Sequence, residues 1–574
     1  MPTLEWIGKD KVINHHQQVP YRVLEEKYTY NAEKSDNMII RGDNLEALKA
    51  LLPKFEGRID CIYIDPPYNT ANSTTQNQKW VYSDNVDDPK IQKWLYKVVG
   101  NEGEDLSRHD KWLCMMYPRL KLLRKLLSDT GVIFMSIDDN EYHSLRYLCD
   151  EIFGRNNYIT TFAVENNPKG RKNNSFVSEG YEHCLLYVKD RYLLNLGKHE
   201  RFFNDVSSGK EDTRGIYYDE YGVFKQSKRQ VVGTNKSNAL CINSKPERCF
   251  TVYYLQSNDT VIFLDEYDSD SDLWYLSTQG EELISKGYIR YTCNNSQNGR
   301  PSVPLYSKET FLEKHYNHMI FFKDDGTIYE KERDDGQQVT SFLPNKRFGI
   351  DLMTESATSM LEEIFGEKDK FPNSKNVNFI QMIVSLIKTK DAIILDSFAG
   401  SGTTAHAVLN MNKTDGGNRK FILVEMMDYA ESITAERVKR VINGYGSSKQ
   451  AVEGTGGDFA FYDLGQALLL PDGNLNEEVD TAKIREYIWY METKTLLAEA
   501  ASENPYYLGT NNNTSYYFFY EKDRITTLGY EFLATIKEKS EGYLIYADLC
   551  TIPDEELKKH NITFKKIPRD IAKL

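Results

Sequence analysis

The segment CIYIDPPYNT, residues 61–70, places an acid, two prolines and an aromatic residue directly after an apolar run. Pro66 and Pro67 each fix the backbone φ angle and remove a backbone donor, so the loop is expected to be rigid. Such a loop could hold the two hydrogens of an exocyclic nucleobase amine on the Asp65 carboxylate and the Pro66 carbonyl, which would aim the amine at an electrophile. Tyr68 would stack on an extruded base. The alternative is an ordinary turn after a strand.

A second motif, DSFAGSGTT at residues 396–404, places Gly400 and Gly402 between an apolar strand and a helix. Glycine at such a turn lets a ligand lie against the backbone, and a helix N-terminus offers unpaired N–H groups. The motif lacks the lysine of a nucleotide-binding P-loop, which disfavours phosphate binding. Glu425, at the end of the next expected strand, is suited to accept hydrogen bonds from ribose hydroxyls. These residues predict a nucleoside cofactor, with a plain tight turn as the alternative.

Together, the two motifs resemble those of the amino-methylating DNA methyltransferases, which use S-adenosyl-L-methionine. Their order, DPPYNT before SFAGSGTT, is similar to that of the permuted β class. The resemblance implies methylation of adenine N6 in double-stranded DNA, with residues 65–68 catalytic; cytosine-N4, RNA and glutamine-amide methylation stay open as alternatives. The cofactor-binding residues that it implies are Asp43, Asn373, Lys375, Asp396, Phe398, Gly400, Gly402, Thr403 and Glu425.

The segment FPNSKNVNFI, residues 371–380, departs from the pattern of this family. The family usually has a proline after the lysine, whereas Asn376 follows Lys375 here. We therefore expect the following helix to start differently, and we retain Asn373 and Lys375 as cofactor residues.

Longer stretches resemble the Mod subunits of type III restriction-modification systems. They include GDNLEALKALLPKFEGRIDCIYIDPPYNT, YEHCLLYVKD, RKFILVEMMDYAESITAERVKRVI and GGDFAFYDLG. The resemblance implies a homodimeric modification and recognition subunit that works with a Res-type helicase and nuclease subunit. A stand-alone modification enzyme is one alternative. Another is a recognition subunit that mainly delivers a nuclease-translocase.

The middle of the sequence is basic, although the whole chain has a formal net charge of −14. Residues 166–250 contain 15 Lys and Arg against 10 Asp and Glu. Basic side chains position a protein on phosphates, and amides read base edges. The segments ENNPKGRKNN and FKQSKRQ are therefore expected to contact DNA, with solvated loops as the alternative. The DNA-contacting residues that we expect are Lys169, Arg171, Lys172, Lys225, Lys228 and Arg229.

Strand-like and helical patterns alternate around both motifs. The segments NMIIRGDN, DCIYIDPPY, VIFMSIDDNE, DAIILDSFAG and KFILVEMM are typical of strands. Their alternation with helices predicts an α/β fold with a parallel sheet covered on both faces. The resemblance implies a Rossmann-like S-adenosylmethionine-dependent methyltransferase fold that is circularly permuted and carries an inserted mixed target-recognition domain and a small C-terminal domain.

Changes in composition predict the domain boundaries. From about 196 to 345 the sequence is rich in tyrosine and turn formers, so one sheet is expected to be split around an insert. WLCMMYPRLKLLRKLLSDTG is expected to form a helix that Gly131 ends. The expected parts are an N-terminal arm at 1–35, the first methyltransferase part at 36–195, the target-recognition domain at 196–345, the second methyltransferase part at 346–465 and the C-terminal domain at 466–574.

Several other functions are disfavoured. Eight cysteines are scattered without a CxxC pair, so neither disulfides nor a metal site is expected. The charged start and the lack of a long apolar stretch predict a cytoplasmic protein with no membrane partner. Asp472, Glu492 and Lys494 fit a nuclease-like spacing, but TAKIREYIWYMETKTLLAEA is typical of a helix, whereas that chemistry needs the last two residues on a strand.

Overall fold

A computed structural model of the protein divides the chain into two compact units. The first joins Met1–His199 to Gln338–Leu574, and the second is Glu200–Gln337. The second unit lies within the expected insert at 196–345, whose role in target recognition stays a prediction. The residues that the structure describes are 3–69, 108–167, 170, 176–194, 196–197, 216–219, 222–233, 246–271, 273–293, 302–333, 340–343, 351–446, 451–498, 504–568 and 570–571.

The described strands are numbered in chain order. Before the second unit they are β1 Arg22–Tyr30, β2 Met38–Arg41, β3 Ile59–Ile64, β4 Leu127–Ile137, β5 Tyr158–Glu165 and β6 Tyr181–Val188. The second unit has β7 Ile216–Asp219, β8 Gly222–Val232, β9 Thr251–Leu255, β10 Thr260–Leu264, β11 Tyr267–Asp268, β12 Leu273–Trp274, β13 Ile289–Tyr291, β14 Ile320–Phe322 and β15 Ile328–Arg333. After it come β16 Phe342–Leu343, β17 Ile393–Asp396, β18 Lys420–Glu425, β19 Gly444–Tyr445, β20 Val452–Glu453, β21 Phe459–Ala467, β22 Tyr507–Asn511, β23 Thr514–Phe518, β24 Thr527–Leu528, β25 Gly542–Ala547, β26 Leu549–Cys550 and β27 Ile562–Lys566.

The described α-helices are numbered in the same way. Before the second unit they are α1 Lys9–Val12, α2 His15–Gln18, α3 Asn44–Phe55, α4 Arg108–Leu126 and α5 Tyr142–Cys149. The second unit has α6 Thr278–Ser285 and α7 Lys308–Tyr316. After it come α8 Thr354–Phe365, α9 Val377–Ser385, α10 Thr403–Asp415, α11 Glu436–Asn443, α12 Thr481–Thr493, α13 Tyr530–Leu533 and α14 Asp554–Lys559.

A ten-stranded sheet forms the centre of the first unit, in the order β1-β21-β2-β18-β17-β3-β4-β6-β5-β16. The strands from β21 to β4 in this order are mutually parallel, and β6 is antiparallel to both of its neighbours. The sheet therefore places β17 and β18, which follow the second unit in the chain, between β2 and β3, which precede it. The expected α/β class is confirmed, and strands from before and after the second unit form one sheet.

Strand β3 of this sheet is buried on both faces. In β3, Ile62 and Ile64 belong to the core on one face, and Cys61 and Tyr63 belong to the core on the other. Successive side chains of a strand point to opposite faces, so a strand covered on both sides needs an unbroken apolar run. This requirement explains why the run before Asp65 has no polar alternation.

The helix before β4 ends earlier than the sequence predicts. Helix α4 ends at Leu126 and β4 begins at Leu127, so the expected stop at Gly131 is wrong. Leu127 pairs with Ile59, and a Cβ atom at Gly131 would lie 2.7 Å from the carbonyl oxygen of Ile59. Gly131 is therefore suited to the close approach of two strands rather than to a helix end.

Peripheral sheets have cores of their own. In the second unit, β14-β15-β8-β7 and β10-β9-β13 form two sheets around residues such as Val231 and Phe250. After residue 466, β22-β23-β25-β27 form a further sheet around residues such as Tyr517 and Ile545. Strand β1, within the expected arm, pairs antiparallel with β21 at the edge of the central sheet.

Candidate active site

The predicted catalytic and cofactor motifs lie at one edge of the central sheet. The neighbouring strands β2, β18, β17 and β3 are parallel, with Arg41 opposite Glu425 and Asp396 opposite Tyr63. The carboxyl ends of parallel strands meet at the same edge, and open α/β sheets bind ligands beyond that edge. Strand pairing therefore brings the DPPY loop after β3 next to the glycine loop after β17.

Asp43 caps helix α3 and borders a cleft. Its Oδ1 accepts hydrogen bonds from the N–H groups of Leu45, at 2.9 Å, and Glu46, at 3.2 Å. Its Oδ2 lies 3.3 Å from the buried guanidinium of Arg119. The cleft has a volume of about 350 Å³ and is lined by Arg22, Arg41, Gly42, Asp43, Glu46, Met426, Asp463 and Leu464. It lies beyond the ends of β2 and β18, on the side where the sequence predicts the cofactor.

The loop between β17 and α10 contains two glycines with left-handed backbone angles. The φ angle is 51° at Gly400 and 81° at Gly402, a region that glycine adopts without strain. Glu425 accepts hydrogen bonds from the N–H groups of Gly400, at 2.8 Å, and Met427, at 3.0 Å. Glu425 is 1% exposed, and burial raises its pKa to about 7. Glu425 thus shapes the loop, while its contact with a ribose stays a prediction.

Two other predicted cofactor residues, Asp396 and Thr403, are buried in the same turn. Asp396 accepts hydrogen bonds from the Thr404 hydroxyl at 2.5 Å and from the N–H of Phe398 at 3.0 Å. Burial raises the pKa of Asp396 to about 7. The Thr403 hydroxyl accepts a hydrogen bond from Arg437 at 2.8 Å. These contacts fix the conformation of the turn, and a direct contact of its residues with a cofactor stays a prediction.

The DPPY loop leaves the end of β3 and is held by two hydrogen bonds. The indole N–H of Trp112, in α4, donates to the carbonyl of Pro67 at 2.7 Å. The hydroxyl of Tyr68 donates to Asp65 Oδ1 at 2.8 Å. Burial raises the pKa of Asp65 to about 6, against the opposing effect of nearby Lys375. Asp65 directly follows the end of β3 at Ile64, and its contact with a target amine stays a prediction.

Lys375 and Glu182 also contact this loop. The Lys375 ammonium donates to the Tyr68 hydroxyl at 2.6 Å and to the two carboxylate oxygens of Glu182 at 2.9 and 3.0 Å. The sequence predicts Lys375 as a cofactor residue, but its charged group lies among the groups of the catalytic loop. Glu182 lies on β6 and was not predicted as a site residue. Its only signal was an acid at the start of the apolar strand YEHCLLYV.

The departure from the family pattern after Lys375 has a structural explanation. The Asn376 side chain accepts a hydrogen bond from the N–H of Asn378 at 2.9 Å and caps α9. Its amide donates to the carbonyl of Met353 at 3.0 Å, and a proline side chain could make neither bond. The helix begins at Val377, directly after this cap. Asn373, just before Lys375, has a left-handed φ of 53°.

Comparison with known families places the chain in one of them. A family model described as DNA methylase matches residues 59–436, which is more than half of the 574 residues and includes both motifs. The chain belongs to the DNA methylase family. The family resemblance inferred from the DPPY and glycine motifs is therefore confirmed.

Curated relatives of this methylase come from restriction-modification systems. The EcoPI Mod subunit of Escherichia phage P1 is 31% identical over 448 residues, which cover 74% of this chain and 63% of that protein. The EcoP15I Mod subunit of Escherichia coli is 28% identical, with coverage of 74% and 64%. The type II methyltransferase M.KpnI of Klebsiella pneumoniae is 31% identical, with coverage of 68% and 81%. The methylase thus spans less than two thirds of the length of these Mod relatives, and the predicted resemblance to Mod subunits is confirmed.

The DNA-contacting residues predicted for the methylase fall in two segments. Lys169, Arg171 and Lys172 lie outside the described residues. Lys228 and Arg229 are exposed on β8 of the second unit, and Lys225 on the same strand is half-buried. Contact with DNA stays a prediction for all of them.

The nuclease-like pattern of the methylase lies at the end of a helix. Glu492 is in α12, as the sequence predicts, and Lys494 follows the helix end with a φ of 55°. Glu492 accepts hydrogen bonds from Tyr546 at 2.6 Å and Lys565 at 2.5 Å. The helix is shorter than expected, because it ends at Thr493. Glu492 thus has structural partners and lacks the strand position that nuclease chemistry requires.

The described parts of the chain contain neither a metal-binding cluster nor a membrane-spanning helix. Across the ranges given above, no group of three or more His, Cys, Asp and Glu side chains is arranged to hold a metal ion. In those same ranges, no helix has the length and apolar character needed to cross a membrane.

Proposed function

We propose that this methylase transfers a methyl group from S-adenosyl-L-methionine to N6 of adenine in double-stranded DNA, as the modification and recognition subunit of a type III restriction-modification system. The observation that carries the proposal is the adjacency of β3 and β17, in which Asp396 stands opposite Tyr63. An amine bound at Asp65 would therefore lie next to a cofactor bound at the glycine loop. Similarity to the EcoPI and EcoP15I Mod subunits supports the type III role.

The residues around the cleft fit S-adenosyl-L-methionine. Met426 and Leu464 offer apolar surface to an adenine ring, and the carboxylate of Asp43 offers an acceptor to its amine. Gly400 and Gly402 leave the backbone open to a ligand because they have no side chain. When bound, the cofactor supplies an electrophilic methyl group on a sulfonium sulfur.

The residues of the chain orient the target amine and receive its proton. The Asp65 carboxylate and the Pro66 carbonyl would accept the two N–H groups, which aims the nitrogen lone pair at the methyl group. Formation of the nitrogen–carbon bond would break the sulfur–methyl bond, with S-adenosylhomocysteine as the leaving group. The nitrogen would then carry one proton too many, and Asp65 is the base within reach of it. Tyr68 would stack on the extruded adenine.

Long-read sequencing of host DNA tests the reaction and its target together. We expect N6-methyladenine at one recurring sequence in a methylation-deficient bacterial host that expresses the chain, and none in the same host without it. Detection of N4-methylcytosine instead would mean that the target base is cytosine rather than adenine. Absence of any methylated DNA, with methylation of RNA or of a protein glutamine, would overturn the proposal.

A stand-alone modification enzyme is a second candidate, because M.KpnI matches over 81% of its length. The type III role requires a homodimer that co-purifies with a large Res-type ATPase and nuclease subunit. A second alternative is a recognition subunit that mainly delivers this nuclease-translocase. Affinity purification from the native host with a measurement of mass in solution separates the candidates, since methylation without such a partner would favour the stand-alone enzyme.

The rate of methylation is expected to fall as the pH is lowered through about 6. Burial raises the pKa of Asp65 to about 6, and the proposed role requires its charged form. An aspartate with an ordinary pKa of about 4 would stay active to lower pH. Single-turnover rates from about pH 5 to about pH 9, at saturating cofactor and DNA, measure this fall, which is the acid limb of the pH–rate profile. A rate that does not fall between about pH 7 and about pH 5 would contradict the proposed state of Asp65.

Replacing both Lys228 and Arg229 with alanine is expected to weaken DNA binding similarly for all sequences. Loss of two phosphate contacts would reduce the slope of the logarithm of affinity against the logarithm of salt concentration by about 2. Lys286→Ala removes another exposed lysine of the second unit, 64% exposed, and serves as the control. Equal slopes for the double variant and the control would remove Lys228 and Arg229 from the DNA surface.

A further inference from the structure

The ion cluster beside the DPPY loop consists of Asp65, Tyr68, Glu182 and Lys375. It contains two carboxylates and one ammonium, and the side chains of Lys375 and Glu182 are only 16% and 7% exposed. The Tyr68 hydroxyl lies 2.8 Å from Asp65 and 3.2 Å from Glu182, so it links the two acids. Two carboxylates in one buried site disfavour each other's charge, and a nearby cation favours it. Lys375 therefore supplies the positive charge that favours the charged form of Asp65.

Asp65 uses one oxygen for its contacts in the cluster. The Tyr68 hydroxyl donates to Oδ1, and the Lys375 ammonium lies 3.3 Å from the same atom. Within the described residues, these contacts leave Oδ2 to accept a hydrogen bond from a target amine. The lysine thus stabilises the charge of Asp65 without taking both of its acceptor oxygens.

Glu182 holds the lysine in this position. A lysine side chain has large rotamer freedom, and a fixed acceptor is needed to restrain its ammonium group. Both oxygens of Glu182 accept hydrogen bonds from Lys375, at 2.9 and 3.0 Å, and β6 carries Glu182 in the central sheet. The pair therefore connects the catalytic loop to the rigid part of the fold.

We infer that Lys375, anchored by Glu182, is a positioning residue that keeps Asp65 charged and directs it toward the target amine. The inference rests on the proposed function for its catalytic meaning. The effect of Lys375 and Glu182 on the charge of Asp65 involves only groups of this chain, so it is testable without cofactor or DNA.

The electrostatics of Asp65 support this role. Burial raises the pKa of Asp65 to about 6, Lys375 acts to lower it, Glu182 acts to raise it and the hydrogen bond from Tyr68 lowers it. The titratable groups that face Asp65 are Lys375, Glu182, Tyr68, Tyr63 and Asp396. Removal of the lysine charge should therefore raise the pKa of Asp65, and removal of the Glu182 charge should lower it.

Two substitutions should move the acid limb of the methylation profile in opposite directions. Lys375→Met should move it upward by a unit or more, so that the rate at about pH 7 falls by about twofold or more and recovers at about pH 9. Glu182→Gln keeps the hydrogen-bonding shape and removes the charge, so the limb should move downward. A merely structural role would lower the rate in both variants without opposite shifts.

Two further lysine variants serve as controls. Lys375→Arg keeps the positive charge and should leave the limb near its wild-type position. Lys370→Met removes a nearby lysine that pairs with exposed Glu367 at 3.0 Å, and it should leave the profile unchanged. A limb that moves equally in Lys370→Met and Lys375→Met would overturn the inference.

Thermal unfolding gives a readout that needs neither cofactor nor DNA. A folded-state pKa above the unfolded value means that the folded state binds more protons, so stability falls as the pH rises through that interval. The difference in Tm between the wild type and Asp65→Asn should fall from about pH 4 to about pH 6 and then level off. In the Lys375→Met background the fall should continue to higher pH.

The two readouts separate the inference from the proposed function. If the wild type methylates no DNA while the Tm difference follows this pattern, the proposed function fails and the electrostatic role of Lys375 stands. If the Tm difference levels off at the same pH in the Lys375→Met background as in the wild type, the inference is overturned whatever the methylation result. Should Lys375→Met not fold, the same Tm measurement is made in the Glu182→Gln background. There the Tm difference must level off at a lower pH than in the wild type, and an unchanged pH overturns the inference.

Discussion

Replacing Asp65 with asparagine is expected to lower the rate of DNA methylation by about three orders of magnitude, while the affinity for S-adenosyl-L-methionine changes by less than about twofold. The substitution keeps the shape of the side chain and removes the charge that receives the amine proton. Asp65 follows β3, whereas the cleft beside Asp43 lies at the ends of β2 and β18. Single-turnover methylation and calorimetric cofactor binding measure the two quantities on the same preparation.

Asp60→Asn is the matched control for this prediction. Asp60 lies near the start of the same strand, where its carboxylate accepts a hydrogen bond from the N–H of Ile393 at 2.9 Å. An asparagine can accept the same bond, so the methylation rate should stay near that of the wild type. Equal losses of methylation and cofactor binding in Asp65→Asn would argue against its assigned role.

Replacing Gly402 with valine is expected to weaken cofactor binding by more than about tenfold and to lower the free energy of unfolding by about 1–3 kcal/mol. A β-branched residue at a φ of 81° is strained, and a Cβ atom there would lie 3.1 Å from the carbonyl oxygen of Thr434. The glycine loop would have to shift to relieve this contact. Calorimetric cofactor titration and chemical denaturation measure the two effects.

Gly416→Val separates backbone strain from loss of the loop. Gly416 follows the other end of α10 with a φ of 67°, and a Cβ atom there would have no neighbour within 4 Å. This variant should lose a similar amount of stability from strain alone and keep its cofactor affinity. Equal loss of affinity in both variants would mean that the glycine loop does not contact the cofactor.

The short motifs could be predicted from the sequence because their chemistry is local. Asp65 and Pro66 are adjacent in the chain, and Gly400 and Gly402 belong to a single turn between a strand and a helix. An apolar run before each motif indicates a buried parallel strand. The carboxyl ends of parallel strands lie at one edge of the sheet, so both motifs are expected at that edge. The spacing of residues within each motif therefore carried enough information to place both loops.

The partners of these motifs depend on contacts that the local sequence does not encode. Glu182 and Lys375 are far apart in the chain, and only the position of β6 and the turn before α9 brings them together at Tyr68. Local sequence predicts a helix end at Gly131 because glycine is common there, but the structure places Gly131 where the carbonyl of Ile59 leaves no room for a side chain. Tertiary contacts of this kind override local preferences.

The interleaved order of the central sheet has a consequence for synthesis of the protein. The strand that leads into the DPPY loop must pair with β17, and β2 must pair with β18, so each early strand requires a partner made more than three hundred residues later. Contacts of such long range slow folding, and an unfinished chain exposes the apolar edges of β2 and β3. A ribosome-bound chain thus cannot assemble the reaction centre until the strand ending at Glu425 has emerged. The proposed methylation of DNA therefore requires a chain that extends at least through β18.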